Sequence, residues 1–278
     1  MPEPYRPQIV DFAANGVTVL EGIEYGKGGD IPLLMDCFYL PETPAPRPAI
    51  IWMHGGGFTE ERITRVSRPE KSFLALVKRG YFIASIDYRL AQVDPFPAQL
   101  HDSKCAVRFL RANAEKYGVD PDRIGVWGES CGGQLAGLMA VQGGIDGFEG
   151  EGGWNEVSSD IAAAVSWYGG FNIPVFTNMI ADPRFITMYG GTFEEKRDLV
   201  VKASPITYVS RKLCPFLAMC SNTDNRVPDS QSLEFCTEAR KNGNIADFIM
   251  VPGQGHGYFE GDEYYEQVYD FFDKYLKK

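Results

Sequence analysis

Apolar positions along this chain follow two alternating spacings. The continuous apolar run Ala49-Ile50-Ile51-Trp52-Met53 reads as a buried parallel strand, Tyr81 to Ile86 reads as another, and Ile161 to Trp167, Pro215 to Cys220 and Ala246 to Val251 read as further strands. Between them, apolar residues recur at helical spacing. Pro69 to Arg79 begins on a proline suited to a first helical turn. Pro97 to Tyr117 carries Leu100, Cys105, Val107, Phe109 and Leu110 and stops at Gly118, and Ser230 to Lys241 and Glu263 to Leu276 continue the series. Ahead of them, Val17 to Tyr25 and Pro32 to Leu40 flank Gly26-Lys27-Gly28-Gly29-Asp30, a hairpin signal. This order predicts an α/β fold: a mostly parallel central sheet opened by an antiparallel hairpin, with helices on both faces.

Two segments break the alternation. Residues 143–160 are glycine-rich and acidic around a lone Trp154, and Phe171 to Leu213 is a long mixed stretch with aromatics and prolines. Loops that long in a compact domain are usually functional. Both leave the C-terminal ends of strands, where open α/β sheets bind ligands. The pattern therefore predicts one domain over 1–278, with 143–160 and 171–213 as a small cap over a pocket.

Composition narrows the function classes. With 278 residues, 44% hydrophobic and 13% aromatic, the chain can bury a large core. A formal net charge of -10 without any long Lys/Arg block argues against nucleic acid and anionic membrane as partners. No stretch reaches the ~18 apolar residues of a membrane span. Met1 to Pro7 lacks a basic segment followed by an apolar run, so no secretory leader is expected there and the cytoplasm is the expected compartment. The six cysteines (Cys37, Cys105, Cys131, Cys214, Cys220 and Cys236) are scattered through apolar segments, as expected of reduced, buried thiols. No Cys or His pair has zinc-ligand spacing.

The chemistry concentrates at Gly128-Glu129-Ser130-Cys131-Gly132. A strand pattern, Arg123 to Trp127, precedes this Gly-x-Ser-x-Gly run and a helix pattern, Gln134 to Ala140, follows it. That context reads as a nucleophile elbow, with the serine hydroxyl held out of the sheet on a strained turn. A serine needs a general base, and in this arrangement the chain order is serine, acid, histidine. Of the three histidines, His54, His101 and His256, His256 alone follows Ser130; it sits in the glycine-rich loop Pro252 to Gly257 directly after a strand. The acid is expected on the loop after the preceding strand, which points to Asp224. Asp229 is the competitor, better placed to cap the next helix, and Asp247 lies too early in its own strand. His54-Gly55-Gly56-Gly57-Phe58 follows a buried strand, where backbone N–H groups of Gly56 and Gly57, with that of Cys131, could converge on an oxyanion. His54 is expected to anchor that loop. The Cys131 side chain is expected to face the core.

These segments, together with Asp87-Tyr88-Arg89-Leu90 and Gly255-His256-Gly257, resemble the α/β-hydrolase superfamily. Within it they are similar to the bacterial carboxylesterase group that includes hormone-sensitive-lipase-like and feruloyl- and acetyl-xylan-esterase-like enzymes. The resemblance runs from the opening hairpin to the last helix, and Phe148 to Gly153 is similar to a short insertion of the feruloyl-esterase-like branch. It implies a Ser130/Asp224/His256 triad, an oxyanion hole on Gly56, Gly57 and Cys131, and no metal or organic cofactor. Two positions depart from the pattern: Cys131 replaces the usual alanine, and Cys220-Ser221 replaces the His-Gly that often opens the acid loop. Asp87 to Leu90 is expected to brace the oxyanion loop. Phe58, Trp154, Phe171, Met179, Phe185 and Tyr258 are candidates for an apolar acyl or aryl pocket, each also compatible with core packing.

The expected activity is hydrolysis of short-acyl or hydroxycinnamoyl esters, including those of plant-derived oligosaccharides. The expected partner is a small-molecule ester, and a homo-oligomer is left open. Two other readings stand beside this one: an arylformamidase-type amide hydrolase, and a non-catalytic binding module that keeps the fold.

Overall fold

The computed structural model describes residues 9–277; Met1 to Pro7, where no leader was expected, lie outside the described residues. The hairpin strands β1 (Thr18–Gly28) and β2 (Ile31–Tyr39) pair antiparallel, and β2 pairs antiparallel with β4 (Phe82–Ile86). The remaining strands, β3 (Arg47–Met53), β5 (Val119–Glu129), β6 (Ala163–Trp167), β7 (Phe216–Ser221) and β8 (Ala246–Val251), continue a parallel sheet. The eight strands lie in the order β1-β2-β4-β3-β5-β6-β7-β8. Every residue of β3, β4, β6 and β7 is buried, which is why their sequences are mostly apolar. The fold is the expected α/β-hydrolase architecture.

Helices cover both faces. On one side α1 (Glu70–Lys78) and α9 (Asp262–Leu276) bury Phe73, Leu76, Val77, Phe271 and Phe272. On the other, α2 (Ala98–Ala112), α4 (Cys131–Met139) and α8 (Asp229–Lys241) bury Leu100, Val107, Leu135 and Phe235. The helix expected over Pro97 to Tyr117 is broken at Asn113, whose side-chain amide donates to the Phe109 carbonyl; α3 (Ala114–Tyr117) resumes for a single turn. Asp229 opens α8 as its first residue, with Pro228 at the cap position, so it does not make the side-chain cap expected of it.

Three tryptophans on neighbouring strands pin the centre of the sheet. Trp52 lies opposite Trp127 across β3 and β5, and their rings meet edge-to-face at 5.1 Å. Trp127 and Trp167 meet likewise at 4.7 Å. This offset geometry is the favourable one for ring quadrupoles. The cluster sits on the α1/α9 face, so β5 leaves the sheet with its next residue, Ser130, fixed in height and direction.

The two long segments behave differently. The stretch 171–213 folds into short helices, α5 (Thr177–Ile180), α6 (Phe185–Tyr189) and α7 (Phe193–Lys202); α7 begins with a Thr192/Glu195 capping box. The 143–160 stretch forms no helix. It is drawn instead onto β1 and α2: Lys27 N–H donates to the Gly152 carbonyl, Trp154 Nε1 to the Tyr25 carbonyl, and the buried Arg108 to the Gly153 carbonyl and to Glu149. Two basic side chains buried on α2, Lys104 and Arg108, both pair with Glu149. Those charges hold 143–160 against the flank of the sheet. Among the described residues no helix is long and apolar enough to cross a membrane.

Asp102 on α2 is buried and takes the Arg89 guanidinium on both oxygens, with Arg89 Nη2 at 2.7 Å. Removing one partner of a buried pair leaves an uncompensated charge. Asp102→Ala is therefore expected to cost about 3–5 kcal/mol in urea denaturation. Arg62→Ala, which breaks the exposed Arg62–Glu60 pair, is expected to leave the midpoint unchanged.

Candidate active site

Ser130 joins β5 to α4 with φ 52° and ψ -117°, a left-handed conformation that side-chain-bearing residues avoid. Its backbone is held there from both sides: Ser130 N–H donates to the Trp167 carbonyl at 2.9 Å, and Gln134 N–H donates to the Ser130 carbonyl at 3.1 Å. The flanking glycines are steric necessities. A Cβ on Gly128 would stand 2.1 Å from the Gly132 carbonyl oxygen, and one on Gly132 would stand 2.3 Å from that of Met53.

The structure brings together Ser130, His256 and Asp224. His256 Nε2 lies 3.1 Å from Ser130 Oγ, and His256 Nδ1 lies 2.7 Å from Asp224 Oδ2. A carboxylate only accepts, so His256 Nδ1–H donates to Asp224 and Nε2 is the ring nitrogen that faces the serine. The other Asp224 oxygen, Oδ1, accepts the backbone N–H groups of Arg226 at 2.8 Å and Val227 at 2.9 Å. Asp224 is thereby fixed by its own loop. The loop of His256 is steadied at its end by aromatic packing: the Tyr258 ring stacks over Trp52 at 6.4 Å, and Phe259 meets Trp167 at 5.2 Å. Asp229 starts α8, and Asp247 is an exposed residue of β8.

Opposite the imidazole, Gly56, Gly57 and Phe58 have φ of 100°, 59° and 60°, so the chain after β3 curls in a left-handed path. Neighbouring polar contacts tie it down. Gly55 N–H donates to Glu129 Oε1 at 3.2 Å and Phe58 N–H to Cys131 Sγ at 3.3 Å. Tyr88 OH donates to the His54 carbonyl at 2.7 Å, and its ring stacks on the His54 ring at 4.2 Å. Nδ1–H of His54 donates to the Gly55 carbonyl at 2.8 Å. Burial holds the His54 pKa below its ordinary value, so this ring is neutral at neutral pH. His54 and Tyr88 are in the positions expected of braces. His101 lies elsewhere, against the Gly147 carbonyl.

Gly56, Gly57, Cys131, Ser130 and His256 line one cavity of about 570 Å³. The Cys131 side chain is buried in the core, as expected. It lies under the glycine loop, takes the Phe58 amide, approaches Tyr88 OH at 3.5 Å and reaches the cavity wall. Burial raises its pKa, keeping it a thiol. From 171–213 come Phe176, Asn178, Met179, Asp182, Arg184 and Met188; among the described residues, 143–160 contributes none to this wall. Of the expected pocket residues Met179 lines the cavity, whereas Phe58, Phe171 and Phe185 are core residues and Trp154 packs on Phe109.

Sequence reasoning passed over Glu129 and Tyr168. Tyr168 OH donates to Glu129 Oε2 at 2.9 Å and its ring lies 4.6 Å from that of His256. Together they connect the oxyanion-side loop to the imidazole. Glu129 was visible only as the variable position of the elbow motif, and no sequence signal marks Tyr168.

The chain matches the family model described as BD-FAE over residues 35–238. It is 28% identical over 250 residues to an esterase, LipQ, of Mycobacterium tuberculosis, covering 85% of this chain and 56% of that protein. The chain thus spans little more than half the length of the curated relatives it matches. A truncated carbohydrate esterase from gut microbiota superposes with a TM-score of 0.82 at 27% identity, covering 94% of this chain and 97% of that one. A bifunctional GH43-CE protein of Bacteroides eggerthii superposes with a TM-score of 0.79 at 28% identity, covering 92% and 35% respectively.

Loss of water around Glu129 raises its carboxyl above the usual range, with the Tyr168 hydroxyl and Gly55 N–H pulling it back. A carboxyl raised in the folded state stabilises most below its unfolded pKa, and that contribution is lost as pH rises through the folded value. Glu129→Gln, which cannot ionise, should therefore gain stability relative to the unmodified protein as pH rises from ~4 to 7. Urea midpoints across that range test this; a difference that stays constant with pH contradicts it.

Proposed function

The chain belongs to the BD-FAE family, and on that premise we propose that it is a serine carboxylic-ester hydrolase working through an acyl-enzyme on Ser130. The observation that carries this reading is the continuous line from Asp224 Oδ2 through His256 to Ser130 Oγ, at 2.7 Å and 3.1 Å. Ser130 Oγ attacks the ester carbonyl carbon while its proton passes to His256 Nε2. The imidazolium so formed is stabilised by Asp224, which keeps its own charge. Negative charge gathers on the former carbonyl oxygen, where backbone N–H groups of Gly56, Gly57 and Cys131 receive it. Collapse of the tetrahedral intermediate breaks the bond to the alcohol oxygen, which leaves with the proton from His256. Water then repeats the sequence on the acyl-enzyme and releases the acid.

A cavity of about 570 Å³ suits a small ester. Its apolar wall from Phe176, Met179, Met188 and Val227 suits a short acyl or an aryl group, while Asn178 and Asn225 offer hydrogen bonds to a hydroxylated part. Esters of plant-derived oligosaccharides, acetyl or hydroxycinnamoyl, combine both features. The similarity to a carbohydrate esterase supports that class. In this reading the 171–213 segment is the cap.

Ser130→Ala is expected to lower kcat for p-nitrophenyl acetate by ~10⁴-fold or more with the fold intact by circular dichroism. Near-normal turnover in that variant would remove the mechanism. Asp224→Asn should lose ~10³–10⁴-fold, because the asparagine favours the wrong imidazole tautomer, while Asp229→Asn stays within a few-fold. The reverse ranking would reassign the acid.

A further inference from the structure

The charges on the cavity wall are unevenly matched. Among its carboxylates, Glu60 is held by Arg62, Asp182 takes Arg184 Nε and Nη2 on its two oxygens at 2.9 Å and 2.6 Å, and Glu129 takes Tyr168 and Gly55. Arg226, also on the wall, is exposed, and no described residue accepts a hydrogen bond from its guanidinium. Its backbone is nevertheless fixed, since its N–H donates to Asp224 Oδ1. Asp182 lies near both arginines: its carboxyl is held below its usual range first by the Arg184 hydrogen bond and further by the Arg226 charge. Arg184 Nη1 is not engaged by Asp182 and lies against the glycine loop, 3.0 Å from where a Gly57 Cβ would stand. One cationic donor group therefore adjoins the oxyanion loop and a second adjoins the acid loop. Both retain N–H groups, on a chain whose net charge is -10.

We propose that this pocket selects esters that also carry a carboxylate, with Arg226 as the residue that holds it and the Nη1 of Arg184 as the second donor. This deepens the ester-hydrolase reading and rests on it. A guanidinium matches a carboxylate with paired, charge-assisted hydrogen bonds, which fix the orientation of the substrate as well as its affinity. A carboxylate so held would place the ester carbonyl at a set distance from Ser130. Neutral esters lack that constraint. The acidic surroundings repel anions at long range, so the preference depends on these local donors.

Paired substrates give the test. 4-Acetoxybenzoate and its methyl ester place a carboxylate or a neutral isostere on the alcohol side; mono-p-nitrophenyl succinate and its methyl ester do so on the acyl side. The quantity read is the ratio of kcat/KM, carboxylate over methyl ester, which cancels leaving-group differences when protein variants are compared. Arg226→Gln is expected to lower that ratio by about tenfold for at least one pair, Arg226→Glu to lower it further, and Arg226→Lys to restore part of it. If the ratio is unchanged in Arg226→Gln for both pairs, the inference is overturned while the hydrolase reading stands. If neither neutral ester nor carboxylate is cleaved by the unmodified protein, or Ser130→Ala cleaves them equally, the hydrolase reading fails and takes the inference with it.

Discussion

The left-handed backbone at Ser130 is the constraint on which the rest of this structure depends. A non-glycine residue at φ 52° costs about 1–3 kcal/mol and persists only where its surroundings over-determine it. Here the tryptophan cluster fixes β5, the Trp167 carbonyl holds the Ser130 amide, and Gly128 and Gly132 let α4 turn back within van der Waals range of β3. Without that turn the hydroxyl would lie along the sheet. With it, the hydroxyl stands at the C-terminal edge, where the loops after β3, β7 and β8 arrive.

Those three loops are held by different physics. Buried polar contacts with His54, Tyr88, Glu129 and Cys131 hold the glycine loop after β3. The acid loop is held by its own amides on Asp224, and the histidine loop by Tyr258 and Phe259 packed on tryptophans of the opposite face. The Tyr168–Glu129 hydrogen bond ties the first and third together. Preorganised groups of this kind stabilise developing charge because little reorganisation is needed when it appears.

Much of this was legible in the residues because the signals were local. Buried parallel strands are continuous apolar runs, and Ala49 to Met53 could be read as such directly. Ser130 and His256 followed from a short motif and from chain order among three histidines. What was not legible depended on partners distant in sequence. Glycines and acidic residues mark 143–160 as a loop, but only the buried Lys104 and Arg108 of α2 show that Glu149 holds it against that helix. The Cys131 thiol reads as a small core residue until Phe58 N–H is found donating to it. Tyr168 and Arg226 carry no pattern at all; the fold alone brings them to the cavity wall.

The central claim is that Ser130 is the one hydroxyl made nucleophilic by its imidazole neighbour. The most direct measurement is intact-protein and peptide mass spectrometry after reaction with an alkyl fluorophosphonate, which forms a stable phosphonyl ester on an activated serine. The account predicts a single adduct per chain, on the peptide that contains Ser130. An adduct on another residue, or full ester turnover with Ser130 unlabelled, would contradict it.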